Sequence, residues 1–167
     1  MHVCPERDMM IGHTLGDGYY YSFNDDLPVS DDLVSSLEAA MKELASAALP
    51  ITSQIAAYGE AIEWFEQAGR KNSVLLLQGQ NKASIQTYVC SGYQDISYEP
   101  LLSTTALITR YELRRYGANG LLLRYPRSAD PLEIAEFSDN PTIFSIFQEY
   151  KQWGSILSVD CLGKLNR

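Results

Sequence analysis

Apolar positions along the 167-residue chain change their spacing three times, and each change marks a change of element. Leu33, Leu37, Met41, Leu44 and Ala48 recur at helical spacing. Ser30 is an N-cap residue, Asp31 and Asp32 suit the positive end of a helix, and Pro50 stops the run. A second helix is predicted from Glu60 to Ala68, with Ile62 and Phe65 or Trp64 inward and Gly69 closing it. Before these helices lies MIGHTLGDGYYYSF. Gly16-Asp17-Gly18 has turn chemistry, Tyr19, Tyr20, Tyr21 and Phe23 favour a strand, and Asn24-Asp25-Asp26 ends it.

From Ser73 the spacing shortens. VLLLQ and SIQTYVC are short apolar runs between polar turns. TALITRYELRRY alternates, with Leu107, Tyr111 and Leu113 on one face and Arg110, Glu112 and Arg114 on the other. GANG at 117–120 is a turn, and LLLRY is the partner strand of a hairpin. Helical spacing returns at Ile143, Phe144, Phe147, Tyr150 and Trp153, capped by Asp139 or Asn140, with a short helix at Leu132 to Phe137 before it. Strand, two helices, several strands and a helix read as an α+β fold with a largely antiparallel sheet. No repeat or linker appears, so residues 1–167 are expected to form a single domain.

Composition narrows the chemistry. With 46% hydrophobic and 20% charged residues the chain can build a core. A formal net charge of -8 argues against unspecific nucleic-acid binding, unless a basic patch is local. Cys4, Cys90 and Cys161 are scattered and form neither a disulfide framework nor a zinc pattern. MHVCPERDMM lacks the apolar core of a secretory signal, and no apolar run is long enough to span a membrane. A cytoplasmic protein is expected.

Only two histidines are present, His2 and His13, and neither sits in a pattern that supplies a catalytic partner. LQGQNKAS has glycine and lysine at the wrong spacing for a phosphate-cradling loop. Asp95 and Glu99 in DISYEP read either as an acid/base pair or as a solvated turn. Arg110, Arg114, Arg115, Arg124 and Arg127 hold five of the thirteen basic side chains. Arg110, Arg114 and Arg124 on the hairpin suit phosphate or RNA through guanidinium forks, while Glu112 between them suits a solvated face of cross-strand ion pairs.

Several stretches carry a family resemblance. IGHTLGDGYYYSF and LPVSDDLVSSLEAAMKELASAALPI are similar to the second N-terminal domain of threonyl-tRNA synthetases, where I-G-P-x-I-x-D-G-F-Y-Y-D-F precedes a capped helix. EAIEWFEQAG resembles the next family helix, and DISYEPLLSTTALITRYEL resembles D-L-C-R-G-P-H-x-P-S-T followed by a strand. GANGLLLRYPRSADPLEIAEF and IFSIFQEYKQWGSILSVDCLGKLN extend the resemblance, from about Pro5 to Asn166, to a branch with this domain upstream of a uridine-kinase-like P-loop module.

The synthetase domain edits mischarged tRNA by ester hydrolysis. Its H-x-x-x-H helix would precede IGHTLGD, outside this chain, and His13 takes the place of the family proline. The family lysine falls at Ser73, the cysteine at Ser97 and the last histidine at Leu101; only the aspartate survives, as Asp95. The resemblance therefore implies an accessory domain of a uridine-kinase-type protein, binding or positioning a nucleotide, an RNA end or its own kinase module. No catalytic residue and no metal ligand is assigned to this chain, and ATP and magnesium belong to the kinase module. Asp95, Ser97, Asp17, Arg110, Arg114 and Arg124 are the candidate ligand contacts. Two alternatives stand beside this. One is a degenerate editing domain that still hydrolyses an ester with Asp95, Ser97 and Asp17 around a water. The other is an interaction protein whose arginine hairpin docks on RNA or an acidic partner. A homo-oligomer is left open.

Overall fold

The computed structural model describes residues 3–4, 6–7, 9–23, 25, 27–80 and 82–156. His2, Asn24, Asp26, Cys161 and the stretch of the resemblance beyond Ile156 lie outside them. The chain folds as two compact units, and the antiparallel sheets packed with helices make it α+β. One unit holds the described residues up to Ala48 together with Thr105–Phe144; the other holds Leu49–Thr104 and the described residues from Ser145.

In the first unit, β1 (Met9–Leu15), β2 (Gly18–Phe23), β6 (Glu112–Tyr116) and β7 (Gly120–Arg124) form an antiparallel sheet in the order β1-β2-β7-β6. The turn at Gly16, with φ at 57°, returns β1 onto β2, a conformation that favours glycine. The 117–120 turn joins β6 to β7, and its backbone is pinned by Phe23 N–H to Asn119 O and Val29 N–H to Ala118 O. One sheet face buries Phe23, Val29, Leu113 and Leu121 against Leu33, Val34, Leu37 and Met41 of α1 (Asp31–Ser46). Ser30 Oγ accepts from Leu33 N–H at 3.2 Å, the cap its position predicts. The other face buries Tyr20, Leu122 and Arg124. Here Phe144, in the first turn of α4 (Pro141–Ile156), stands edge-on to Tyr20 and Tyr116. Asn140 caps α4 by accepting from Ile143 N–H at 3.2 Å. Gly120 lies under the Tyr20 ring, leaving no room for a Cβ.

The second unit has a three-stranded antiparallel sheet, β3 (Ile51–Ala57), β4 (Ser84–Cys90) and β5 (Tyr93–Ile96), in that order. The helices α2 (Tyr58–Gln67) and α3 (Lys71–Gln78) contribute Ala61, Phe65, Val74 and Leu77 to a core closed by Ile85. Glu60 accepts from Ala57 N–H at 3.3 Å at the start of α2. Gly69, at φ 71°, ends it as expected.

Several elements differ from the sequence reading. VLLLQ is helix, not an apolar strand run, because Val74 and Leu77 lie three apart and both reach the core beside Phe65. Residues 132–137 form no helix; the backbone there is irregular and supplies Ala135 O to Arg124. The alternating segment becomes strand only at Glu112, after a 3-10 turn at Thr105–Leu107. Thr105 Oγ1 donates to Leu44 O at 2.7 Å and is buried against α1. On α4, Phe144 is half-buried, but Ile143, Tyr150 and Trp153 of the expected inward side are exposed. Among the described residues no helix is long and apolar enough to cross a membrane.

Candidate functional site

The β4–β5 hairpin builds the site of the second unit. Ser91 and Gly92 both have positive φ, at 48° and 80°, the requirement of the tight two-residue turn that matches strand twist. That turn pairs Cys90 with Tyr93, Tyr88 with Asp95 and Thr87 with Ile96. Ile96 therefore faces the helices, and Asp95 faces the opposite side.

Every oxygen of Asp95 is engaged. Oδ1 accepts from Ile96 N–H at 2.8 Å; Oδ2 accepts from Arg70 Nη1 at 3.0 Å and Tyr93 OH at 3.1 Å. Arg70 also lies over the Tyr93 ring, 4.1 Å from its centroid. Ser97 donates its hydroxyl to Glu99 O at 2.7 Å, a local turn contact before Pro100. The two positions read against the family's aspartate and thiol lie two residues apart, and the bonds described for them reach no histidine or lysine.

Next to Ser97 is a cavity of about 140 Å³ lined by Gln80, Lys82, Gln86, Ser97 and Tyr98. Gln80 Nε2 donates to Tyr98 OH, while Gln80 Oε1 is buried with no hydrogen-bond partner among the described residues. Lys82 Nζ stands 5.3 Å from the Tyr98 ring centroid. Gln86 Nε2 donates to Ser53 Oγ at 3.1 Å and Tyr88 OH at 2.9 Å. Ile85 and Ile96 give the cavity an apolar floor beside these amide, ammonium and hydroxyl groups, and it has room for one small group and not for a nucleoside. Ser73 is half-buried on α3 and Leu101 is exposed in the loop after β5, so the positions read against the family's lysine and last histidine carry a hydroxyl and an alkyl group.

The remaining sequence candidates lie in the first unit. Asp17, in the β1–β2 turn, forms a fork with Arg127, Nε to Oδ1 at 2.6 Å and Nη2 to Oδ2 at 2.7 Å. The Arg127 hydrogen bond holds the Asp17 carboxyl below its ordinary range. A carboxyl depressed in the fold stabilises it above the unfolded value, about 3.9, and that contribution disappears as pH falls through the lower folded value. Asp17→Asn should therefore flatten the acid limb of stability against pH below about pH 4, leaving neutral stability changed by less than about 1 kcal/mol, as for exposed pairs. Urea melts at stepped pH check this. His13, on β1, is shifted the other way in charge: burial lowers its pKa and keeps the imidazole neutral.

Arg114 and Arg124 share one carboxylate. Arg124 Nη1 donates to Glu112 Oε2, and Arg114 Nη1 donates to Oε1 at 3.3 Å. Both guanidiniums lie on Phe137, Arg114 at 4.0 Å and Arg124 at 5.3 Å from the ring centroid. The cross-strand ion pair is present, but Arg124 is buried beneath the sheet face, not solvated on it. Arg110 lies before β6 and donates to Leu132 O. Arg70 and Gln80 stand in no sequence motif, and Lys82 only in a stretch misspaced for a phosphate loop; folding brings Arg70 to Asp95 on β5 and the other two to Tyr98 just after it.

No family model matches the chain. Curated relatives do. A threonine--tRNA ligase of Desulfovibrio desulfuricans is 32% identical over 96 residues, 58% of this chain and 15% of that protein. Those of Campylobacter lari and Hahella chejuensis are 33% and 26% identical over 111 and 114 residues, 66% and 68% of this chain and 18% of each relative. The chain thus corresponds to less than a fifth of the length of these relatives. They correct one reading outright. The reading as an accessory domain of a uridine or nucleoside kinase gives way to these relatives, which are named as threonine--tRNA ligases. The homologues of this chain are threonine--tRNA ligases, matched over part of their length.

Proposed function

We propose that the chain is a degenerate editing-type domain of a threonyl-tRNA synthetase-like protein. It holds a small hydroxylated aminoacyl group at a tRNA end and does not hydrolyse its ester. The observation that supports this most is the double commitment of Asp95 to Arg70 and of Ser97 to Glu99 O beside a cavity of mixed polar and apolar lining. Ester hydrolysis needs a base to take a proton from water or from the nucleophile. The second unit has no histidine, and its surviving carboxylate is spent on an arginine. Recognition needs less. Lys82 offers three donors to the ester and phosphate side, and Gln80 Oε1 offers an acceptor to the ligand's ammonium or hydroxyl.

A stable 3′-seryl- or threonylamino-adenosine, whose amide resists hydrolysis, tests the binding half by calorimetry. Saturable binding weakened about tenfold by Lys82→Ala is expected, the loss of one charged hydrogen bond. Charged tRNA incubated with the protein should lose its ester no faster than in buffer. Turnover above that rate, abolished by Asp95→Ala, would make the domain an active deacylase; no binding of the amide would end the recognition reading.

A further inference from the structure

The first unit carries a second cavity that the editing-type reading does not use. It measures about 420 Å³ and lies beside β6, the outer strand of its sheet. That volume falls within the range of small-ligand sites, about 300–1,000 Å³. Arg114, Tyr116, Phe137, Asp139 and Phe144 belong to its lining. Arg114 and Tyr116 lie two apart on β6, so their side chains rise from one face of the sheet, the face of Tyr20 and Leu122. Arg115 between them points to the opposite face, where it meets Asp31 at 3.6 Å, so one guanidinium serves the cavity.

Two opposite charges line this cavity without meeting. Arg114 pairs with Glu112 at 3.3 Å, a long contact to a carboxylate that also holds Arg124. Only its Nη1 is used there; the Nε–Nη2 edge carries no hydrogen bond among the described residues. That edge presents two parallel N–H groups, the arrangement that matches a carboxylate. Phe137 lies 4.0 Å from the guanidinium carbon and holds its plane. With 39% of its side chain exposed, Arg114 is open to a ligand.

Asp139 makes no ion pair among the described residues, and its Oδ1 accepts from Tyr116 OH. Burial, reinforced by that bond, pushes the Tyr116 phenol up to about 12, so the phenol stays a donor at neutral pH. The second carboxylate oxygen keeps its acceptor sites. The rest of the wall is aromatic. Tyr116 is flanked edge-on by Phe137 at 6.2 Å and by Phe144 at 4.8 Å between ring centroids. A site for a simple anion would carry no carboxylate, and a site for a simple cation no open guanidinium edge. Opposite charges held apart beside an apolar wall fit a ligand that carries both charges and a ring.

We propose that this cavity binds a free α-amino acid with an aromatic side chain. The ligand carboxylate lies on the Nε–Nη2 edge of Arg114, the ammonium donates to Asp139, and the ring packs against Phe144 and Tyr116. Both ends of such a ligand are charged at neutral pH, so each meets its counter-charge without a proton moving. The ring supplies the apolar area that a small zwitterion lacks.

Calorimetry of the whole chain with L-phenylalanine and three analogues tests this without any variant. Phenylpropionate lacks the amine, phenethylamine lacks the carboxylate, and L-alanine lacks the ring. L-phenylalanine should bind saturably, and each analogue about tenfold or more weakly, through loss of a charged hydrogen bond or of the buried ring. Arg114→Gln should leave L-phenylalanine no tighter than phenethylamine, and Asp139→Asn should leave it no tighter than phenylpropionate, each with an unchanged circular dichroism spectrum. Any of three results overturns the site: no saturable binding of L-phenylalanine up to millimolar concentration, an analogue binding as tightly as L-phenylalanine, or an affinity indifferent to both substitutions. None of these bears on the amide-binding assay of the second unit, so the two readings fail separately.

Discussion

Glu112→Ala should lower the stability of the first unit by about 3 kcal/mol, a larger loss than any other single charge deletion here. The cause is the partner left behind. Arg124 has 5% of its side chain exposed, and Glu112 is the carboxylate bonded to it, while Asp17 acts on it only at longer range and is itself held by Arg127. Ala135 O and the Phe137 ring remain, but neither carries a full charge. A buried guanidinium without a counter-charge costs several kcal/mol, whereas an apolar replacement of the whole pair is often neutral. The double variant Glu112→Ala with Arg124→Leu should therefore recover most of the loss. Hydrogen exchange of the β7 amides at Leu121 and Leu122 reads the effect in this unit alone. A single variant as protected as the parent would show that water reaches Arg124 and that the ion pair is dispensable.

The second large effect belongs to the other core. Phe65 has no exposed surface and stands edge-on to Trp64 at 4.8 Å between centroids. Phe65→Ala should cost about 3–5 kcal/mol, the transfer free energy of the ring plus the cavity left among Ala61, Val74, Leu77 and Ile85. Ile55 on β3 is 78% exposed, and Ile55→Ala should stay within about 0.5 kcal/mol. Urea unfolding followed by tryptophan fluorescence separates the two, since Trp64 reports directly on the Phe65 contact. Equal midpoints for both variants would mean that this helix pair contributes little to the fold.

Much of the first unit was legible residue by residue. Ser30 and Asn140 cap the helices they precede, and the Gly16 and 117–120 turns fall where their chemistry puts them. These are contacts within three or four residues, so short-range rules suffice. The Ile51–Ala57 strand shows no alternation in the sequence; it is exposed along most of its length, and pairing with β4 makes it a strand. VLLLQ failed for the reverse reason. Periodicity over five residues cannot separate a buried strand from a buried helix, and the packing of α3 on α2 decides it.

The site divides in the same way. DISYEP marked Asp95 and Ser97 as the places to look, and the change of thiol to hydroxyl is a matter of reading one letter. What those groups can do was decided elsewhere in the chain. Asp95 is taken by Arg70, 25 residues away, and Asp17 by Arg127, 110 residues away. Charged side chains find partners across sheet edges and turns that no local spacing encodes. Caps, turns and helical faces were therefore set by neighbours in the chain. The partner of each ionised group was set by neighbours in space.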